Sequence, residues 1–160
     1  MTDKQSSVER IASALEGARI AVVSTHRCEH INSRCMLFAT DATLEHFFFI
    51  TNSETDKLKE LRVNADATAC VLLGSEQADL ERCAEVTGSG SVEICGDLTP
   101  PWTRVGLELL ARKMPGLGVM LDVGSLGSYQ LMRLKMESVV HRTYLEVLSN
   151  TPKTILRFAP

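Results

Sequence analysis

Apolar residues recur along this chain with two different periods, and the switches between them outline its elements. Val8, Ile11, Ala12 and Leu15 fall at i, i+3, i+4 and i+7, which predicts a helix starting near Ser6 or Ser7 and ended by Gly17. The β-branched stretch 19–25 predicts a first strand, and residues 31–39 and 44–51 a second and a third. Phe47, Phe48, Phe49 and Ile50 are apolar at consecutive positions, so both faces of the third strand should be covered. Ser53-Glu-Thr-Asp56 reads as a capping box opening a short helix. Its buried stripe would be Leu58, Leu61 and Val63, with Asn64 at its end.

Residues 67–73 form another apolar strand, followed by a polar, hairpin-like connection at 74–79. From 83 to 94 the alternation is regular: Val86, Gly88, Gly90, Val92 and Ile94 share one face. Two glycines on that face imply that something approaches the backbone closely. Thr99-Pro-Pro101 opens a helix running to about Met114, with Trp102, Val105, Leu109 and Leu110 inward and Pro115-Gly116 as its stop. Gly106 in its middle costs about 1 kcal/mol against alanine. The glycine-rich stretch 117–127 follows no period, and 129–136 and 139–147 read as closing strands. The sum is one mainly β (α+β) domain with three helices.

At 160 residues the chain suits a single domain, 1–160, with 44% apolar and 23% charged residues. No apolar run reaches the ~20 residues of a spanning helix. Asp3, Glu9 and Glu16 break any secretory signal. A net charge of −3 argues against a general nucleic-acid binder, which carries surplus positive charge to displace counterions. The five cysteines are odd in number and include no C-x-x-C, so reduced thiols in a cytoplasm are expected. No membrane and no nucleic-acid partner is expected.

Three constellations could carry chemistry. The segment 51–57 joins a buried strand to a helix start, where backbone N–H groups, the hydroxyls of Thr51 and Thr55, and Lys57 could cradle a phosphate. On this segment alone a plain strand–turn–helix with an N-cap serine and a solvated lysine is the better explanation, and Glu54 and Asp56 oppose an anion. Arg34 interrupts an apolar strand and needs either a carboxylate or a phosphate oxygen as partner. His26-x-Cys28-x-His30, with Cys35 beyond, has spacing that a zinc site could use on a regular strand. The same residues are also the natural turn between the first two strands, so no metal is assigned. Neither a nucleophile elbow nor a strand-borne G-x-G-x-x-G is present.

Arg34 and Lys57 gain weight from their order along the chain. Asn32-Ser-Arg-Cys-Met36, then Phe48-Phe-Ile-Thr-Asn-x-x-Thr-x-Lys57, then Leu58 to Asn64, resembles the pyridoxamine 5′-phosphate oxidase-like FMN-binding split barrels, chiefly their short general-stress-protein-type members. The likeness continues through Val86-Thr-Gly-Ser-Gly and Arg112-Lys-Met-Pro115, covering roughly residues 8–145. It implies a six-stranded antiparallel split β-barrel with an N-terminal helix and two short flanking helices. It also implies a homodimer with FMN at the interface. Arg34 and Lys57 would hold the FMN phosphate, Thr51 and Thr55 would add hydroxyls, and Asn52 would sit beside them. Cys35 and Met36 would run along the isoalloxazine ring and offer backbone groups. The turn before the arginine, Cys28-Glu-His-Ile31, departs from the usual Asp-Gly-x-Pro, and the carboxy-terminal substrate segment of true pyridoxamine 5′-phosphate oxidases is absent.

The function implied is an FMN-dependent oxidoreductase acting on a small molecule or electron donor, with no side chain assigned as acid or base. The alternatives are a non-catalytic flavin module, a deazaflavin version, a haem version drawing on the histidines at 26, 30, 46 and 141, and a zinc-stabilised domain. Replacing Arg34 or Lys57 by alanine is expected to weaken FMN binding and spare the fold.

Overall fold

The computed structural model describes residues 3–27, 29–74 and 83–159. Cys28 and most of the connection expected at 74–79 lie outside them. The elements are α1 (Asp3–Glu16), β1 (Ile20–Arg27), β2 (His30–Thr40), β3 (His46–Asn52), α2 (Asp56–Val63), β4 (Asp66–Leu73) and β5 (Ala84–Cys95). They continue with α3 (Pro101–Lys113), a 3₁₀ turn at Pro115–Leu117, α4 (Gly118–Asp122), β6 (Tyr129–Thr143), α5 (Tyr144–Leu148) and β7 (Thr154–Arg157).

All strand pairings are antiparallel, in the order β3-β2-β1-β4-β5-β6-β7. An additional β3–β6 pairing closes the first six strands into a barrel. The closure is uneven. Only Phe38, Ala39 and Thr40 of β2 pair with β3, whereas β3 pairs with β6 over its whole length. Along residues 31–37, β2 therefore has a strand partner on the β1 side alone, among the described residues. The barrel is split at that place.

Two apolar clusters explain why the sequence closes this way. Inside the barrel, Phe38, Phe47, Phe49, Val71, Val86 and Met132 pack with Val8, Ile11 and Leu15 of α1. Outside it, Phe48 and Leu131 pack under Leu107 and Leu110 of α3. Consecutive phenylalanines of β3 thus serve two cores, each buried ring stabilising by about 1.5–3 kcal/mol.

The glycines of β5 are where the backbone is approached. A Cβ on Gly88 would lie 2.5 Å from Met136 Cε, and one on Gly90 would run into the carbonyl oxygen of Lys135. The β5–β6 register shifts at this point, between Ser89 and Gly90.

Several elements differ from the sequence expectation. α2 begins at Asp56, not at a Ser53 capping box, and its N-cap Thr55 makes no side-chain cap. Val63 is exposed, and Glu60 is buried beside Leu58 and Leu61. In α3 the buried residues are Thr103, Gly106, Leu107 and Leu110, while Val105 is exposed. The reason is Gly106, where a Cβ would lie 2.5 Å from Phe48 Cδ1, so the bare backbone turns that face inward. The two closing strands are one strand of 15 residues, stopped by a Thr143–Glu146 capping box. The stretch 117–127 holds α4 and two left-handed glycines, Gly124 and Gly127.

Candidate functional site

Alternation along β2 puts Met36 and Phe38 inside the barrel and leaves Asn32 and Arg34 on the same face nearer its open end. Opposite them on β1, Thr25 pairs with Asn32 and Val23 with Arg34. α2 packs against β1 here and lowers Glu60 onto this end of the barrel. Glu60 is 4% exposed and accepts from Thr25 Oγ1 at 2.6 Å and Asn32 Nδ2 at 2.9 Å. It also accepts from Arg34 Nη2 at 3.0 and 2.8 Å. Arg34 Nη1 donates to Thr25 Oγ1 at 2.9 Å, which closes the network.

Burial alone would raise the Glu60 carboxyl, but the hydrogen bonds from Thr25, Arg34 and Asn32 and the charge of Arg34 bring it below its ordinary value. The group is a carboxylate. The partner that a strand arginine demands is thus supplied first by the chain itself.

Beside this pair, Lys57 on the first turn of α2 donates from Nζ to Thr51 Oγ1 at 2.7 Å. Thr51 is buried at the end of β3, and its hydroxyl lies 3.5 Å from that of Thr55. Thr55 donates to the carbonyl of Asn52 at 3.1 Å, so its hydroxyl faces the β3–α2 turn instead of capping the helix. Burial, and then the neighbouring charge of Arg34, lower the proton affinity of Lys57. Two cations are thus held within reach of each other next to two hydroxyls. An anion between them would relieve the repulsion.

Four of the expected residues, Arg34, Thr51, Thr55 and Lys57, meet at the split end of the barrel. Asn52 adjoins them, but its Oδ1 accepts from the backbone N–H of Glu54 at 2.9 Å, so its side chain closes the turn. Cys35 is exposed on the outer face of β2, and Met36 is buried in the barrel core. These two can meet a ligand together only through backbone groups, along the stretch of β2 that β3 leaves unpaired. Glu60 was not singled out in the sequence, nor was the part played by Thr25 and Asn32. The available signal was the strand arginine's need for a carboxylate.

Elsewhere, His26 and His30 are exposed on facing ends of β1 and β2, and Cys28 lies outside the described residues. Among the described residues no group of three potential metal ligands is gathered. An apolar groove lined by Leu72, Leu73, Tyr144 and Val147 lies at the other end of β4 and β6 and takes no part in the cluster. Among the described residues no helix is long and apolar enough to cross a membrane.

Comparison of the chain with family models and with curated proteins yields no match. Solved structures do match. A protein related to general stress protein 26, of the pyridoxine-phosphate oxidase family, from Clostridium acetobutylicum is 17% identical with a TM-score of 0.66, covering 96% of each chain. The fold is the pyridoxamine 5′-phosphate oxidase-like split barrel. A haem-binding protein from Mycobacterium smegmatis shares this split barrel at 12% identity and a TM-score of 0.67. The match covers 98% of the present chain but only 59% of that protein. A haem storage protein from Vibrio cholerae, 14% identical, aligns over 80% of this chain and 88% of its own with a TM-score of 0.63. Haem is the ligand named for two of these neighbours, while the general-stress-protein neighbour is named by family alone.

Proposed function

We propose that this chain binds FMN at the split end of its barrel, as a cytoplasmic homodimer with the flavin at the subunit interface, and serves as an oxidoreductase toward a small-molecule substrate or electron donor. The observation that carries this reading is the juxtaposition of Lys57 and Arg34 with the Thr51 and Thr55 hydroxyls, next to an unpaired stretch of β2. Lys57 supplies a point charge and Arg34 a guanidinium whose Nε has no partner among the described residues. Thr51 and Thr55 supply hydroxyls that can turn toward a phosphate oxygen. The β2 backbone near Cys35 and Met36 supplies peptide groups for the polar edge of a flat ring. When bound, the flavin supplies the hydride or electron transfer. The chain binds it, orients it and sets the charge around its phosphate.

The test is an absorption spectrum of the purified protein, then an FMN titration followed by fluorescence quenching for the native chain and Lys57→Ala. Saturable binding of one FMN per chain, weakened in the variant, supports the reading. A protein that ignores FMN overturns it.

A haem reading is favoured by the two haem proteins among the structural neighbours. Its signature in the same spectrum is a Soret band after haemin is added, in place of flavin binding.

A further inference from the structure

The cluster contains a charge that a phosphate site does not need. Glu60 is ionised, nearly completely buried, and bonded through both oxygens to Arg34, Thr25 and Asn32. Arg34, Lys57 and Glu60 together leave one net positive charge, where Arg34 and Lys57 alone would present two. Both terminal nitrogens of Arg34 are engaged, Nη2 by Glu60 and Nη1 by Thr25. What Arg34 can still offer an incoming anion is its Nε–H and the second hydrogen of Nη1.

We propose that Glu60 is the specificity-determining residue of this site: a resident carboxylate that discounts the charge of Arg34 and keeps a phosphate-bearing ligand exchangeable. The inference rests on reading the cluster as an anion site. A phosphomonoester carries close to two negative charges at neutral pH. It meets one net positive charge in a partly buried setting, where an uncompensated charge is poorly screened. Glu60 also fixes the guanidinium, so the arginine is pre-oriented but electrically muted. Both effects come from one side chain, and they can be separated.

Glu60→Gln separates them. The amide oxygen can still accept from Arg34, and its NH₂ can meet a flipped Asn32 amide, while the negative charge is gone. Affinities for FMN and for riboflavin, which has the same ring without the phosphate, are measured at fixed salt for the native chain and for E60Q. Stabilisation by inorganic phosphate is measured in parallel from the shift in melting temperature.

E60Q is expected to bind FMN about tenfold more tightly or better, with riboflavin unchanged, and to be stabilised by phosphate more than the native chain. Equal or weaker FMN affinity in E60Q, or a riboflavin affinity that rises in step, overturns the inference and leaves the flavin reading intact. Stronger stabilisation by phosphate in E60Q, with FMN ignored by both proteins, upholds the role of Glu60 and overturns the flavin reading. Phosphate and FMN ignored by both proteins overturn both. Should E60Q not fold, Glu60→Met removes the same charge at similar chain length and is read in the same way.

Discussion

The Nη2 nitrogen of Arg34 lies 3.0 and 2.8 Å from the two oxygens of Glu60, a side chain buried beneath the helix that carries it. The arginine read from the sequence as a phosphate ligand is therefore also a structural counter-ion. An isolated buried carboxylate is costly, and the cost falls on whichever substitution removes its partner.

Arg34→Ala should accordingly destabilise the fold, contrary to the expectation that it would leave the fold intact. Removing one member of a buried pair costs about 3–5 kcal/mol, and the partial exposure of Arg34 places the loss near the lower end. Urea unfolding of R34A and of the double variant R34M/E60Q tests this. The double variant, with no stranded charge, should recover much of the loss.

The acid limb of stability should report Glu60. Its carboxyl holds a proton less readily in the folded chain than its ordinary value of 4.5 would allow. Its contribution is therefore complete above that pH and lost as pH falls below it. Unfolding free energies between about pH 6 and pH 3 should fall less steeply in E60Q than in the native chain.

His141 should add a second, higher step. It is 7% exposed, its Nδ1 lacks a partner among the described residues, and burial followed by the charge of Arg10 lowers its proton affinity despite Glu146 nearby. The folded chain thus holds the neutral ring. That stability is full above the ordinary value of 6.5 and declines as pH falls below it. That decline below pH 6.5 should be absent in His141→Leu, as pH-dependent urea melts would show.

Lys57→Ala should weaken FMN by about 1.5–3 kcal/mol, the worth of a charge-assisted hydrogen bond, with little change in melting temperature. Because Lys57 loses its proton more readily than a free lysine, native FMN affinity should decline as pH rises toward the alkaline range. Lys57→Arg should keep its affinity there. Fluorescence titrations from pH 7 to 10 distinguish the two.

Gly88 and Gly90 share a face of β5 and should differ in their tolerance of a methyl group. At Gly88 the obstacle is the flexible end of Met136, so alanine should cost about 1–3 kcal/mol. At Gly90 it is the Lys135 carbonyl, which cannot swing aside, so Gly90→Ala should cost more than about 4 kcal/mol. Paired urea melts would rank them.

What was readable in the sequence follows from period. The alternation of β5 and the consecutive phenylalanines of β3 each state which faces are buried, and the structure covers them in that way. Features that depend on a partner distant in the chain were hidden. Gly106 turns inward because Phe48 lies under it. Val105, which periodicity also placed inward, is exposed, while Trp102, Leu109 and Leu110 pack on the outer core as the period indicates. Glu60 sits in a position that looks solvent-facing until β1 and β2 bring Thr25, Asn32 and Arg34 beneath it. The Ser53 box failed because Thr55 bonds the Asn52 carbonyl, and no local pattern foretells that competition. The sequence pattern separated 129–136 from 139–147, whereas β6 runs unbroken from Tyr129 to Thr143 and Glu137 is the residue skipped where its register with β5 slips.

That strand has a further consequence. β6 is bonded to β5 along nearly its whole length, while its other edge passes from β3, ending at Lys135, to β7, beginning at Ser138. The four residues of β7 are therefore an edge guard, covering peptide groups that would otherwise form an open template for a foreign strand. A chain shortened before Thr154 would keep its closed barrel and yet be prone to self-association. Its defect would appear as concentration-dependent aggregation of folded protein, with the barrel itself still standing.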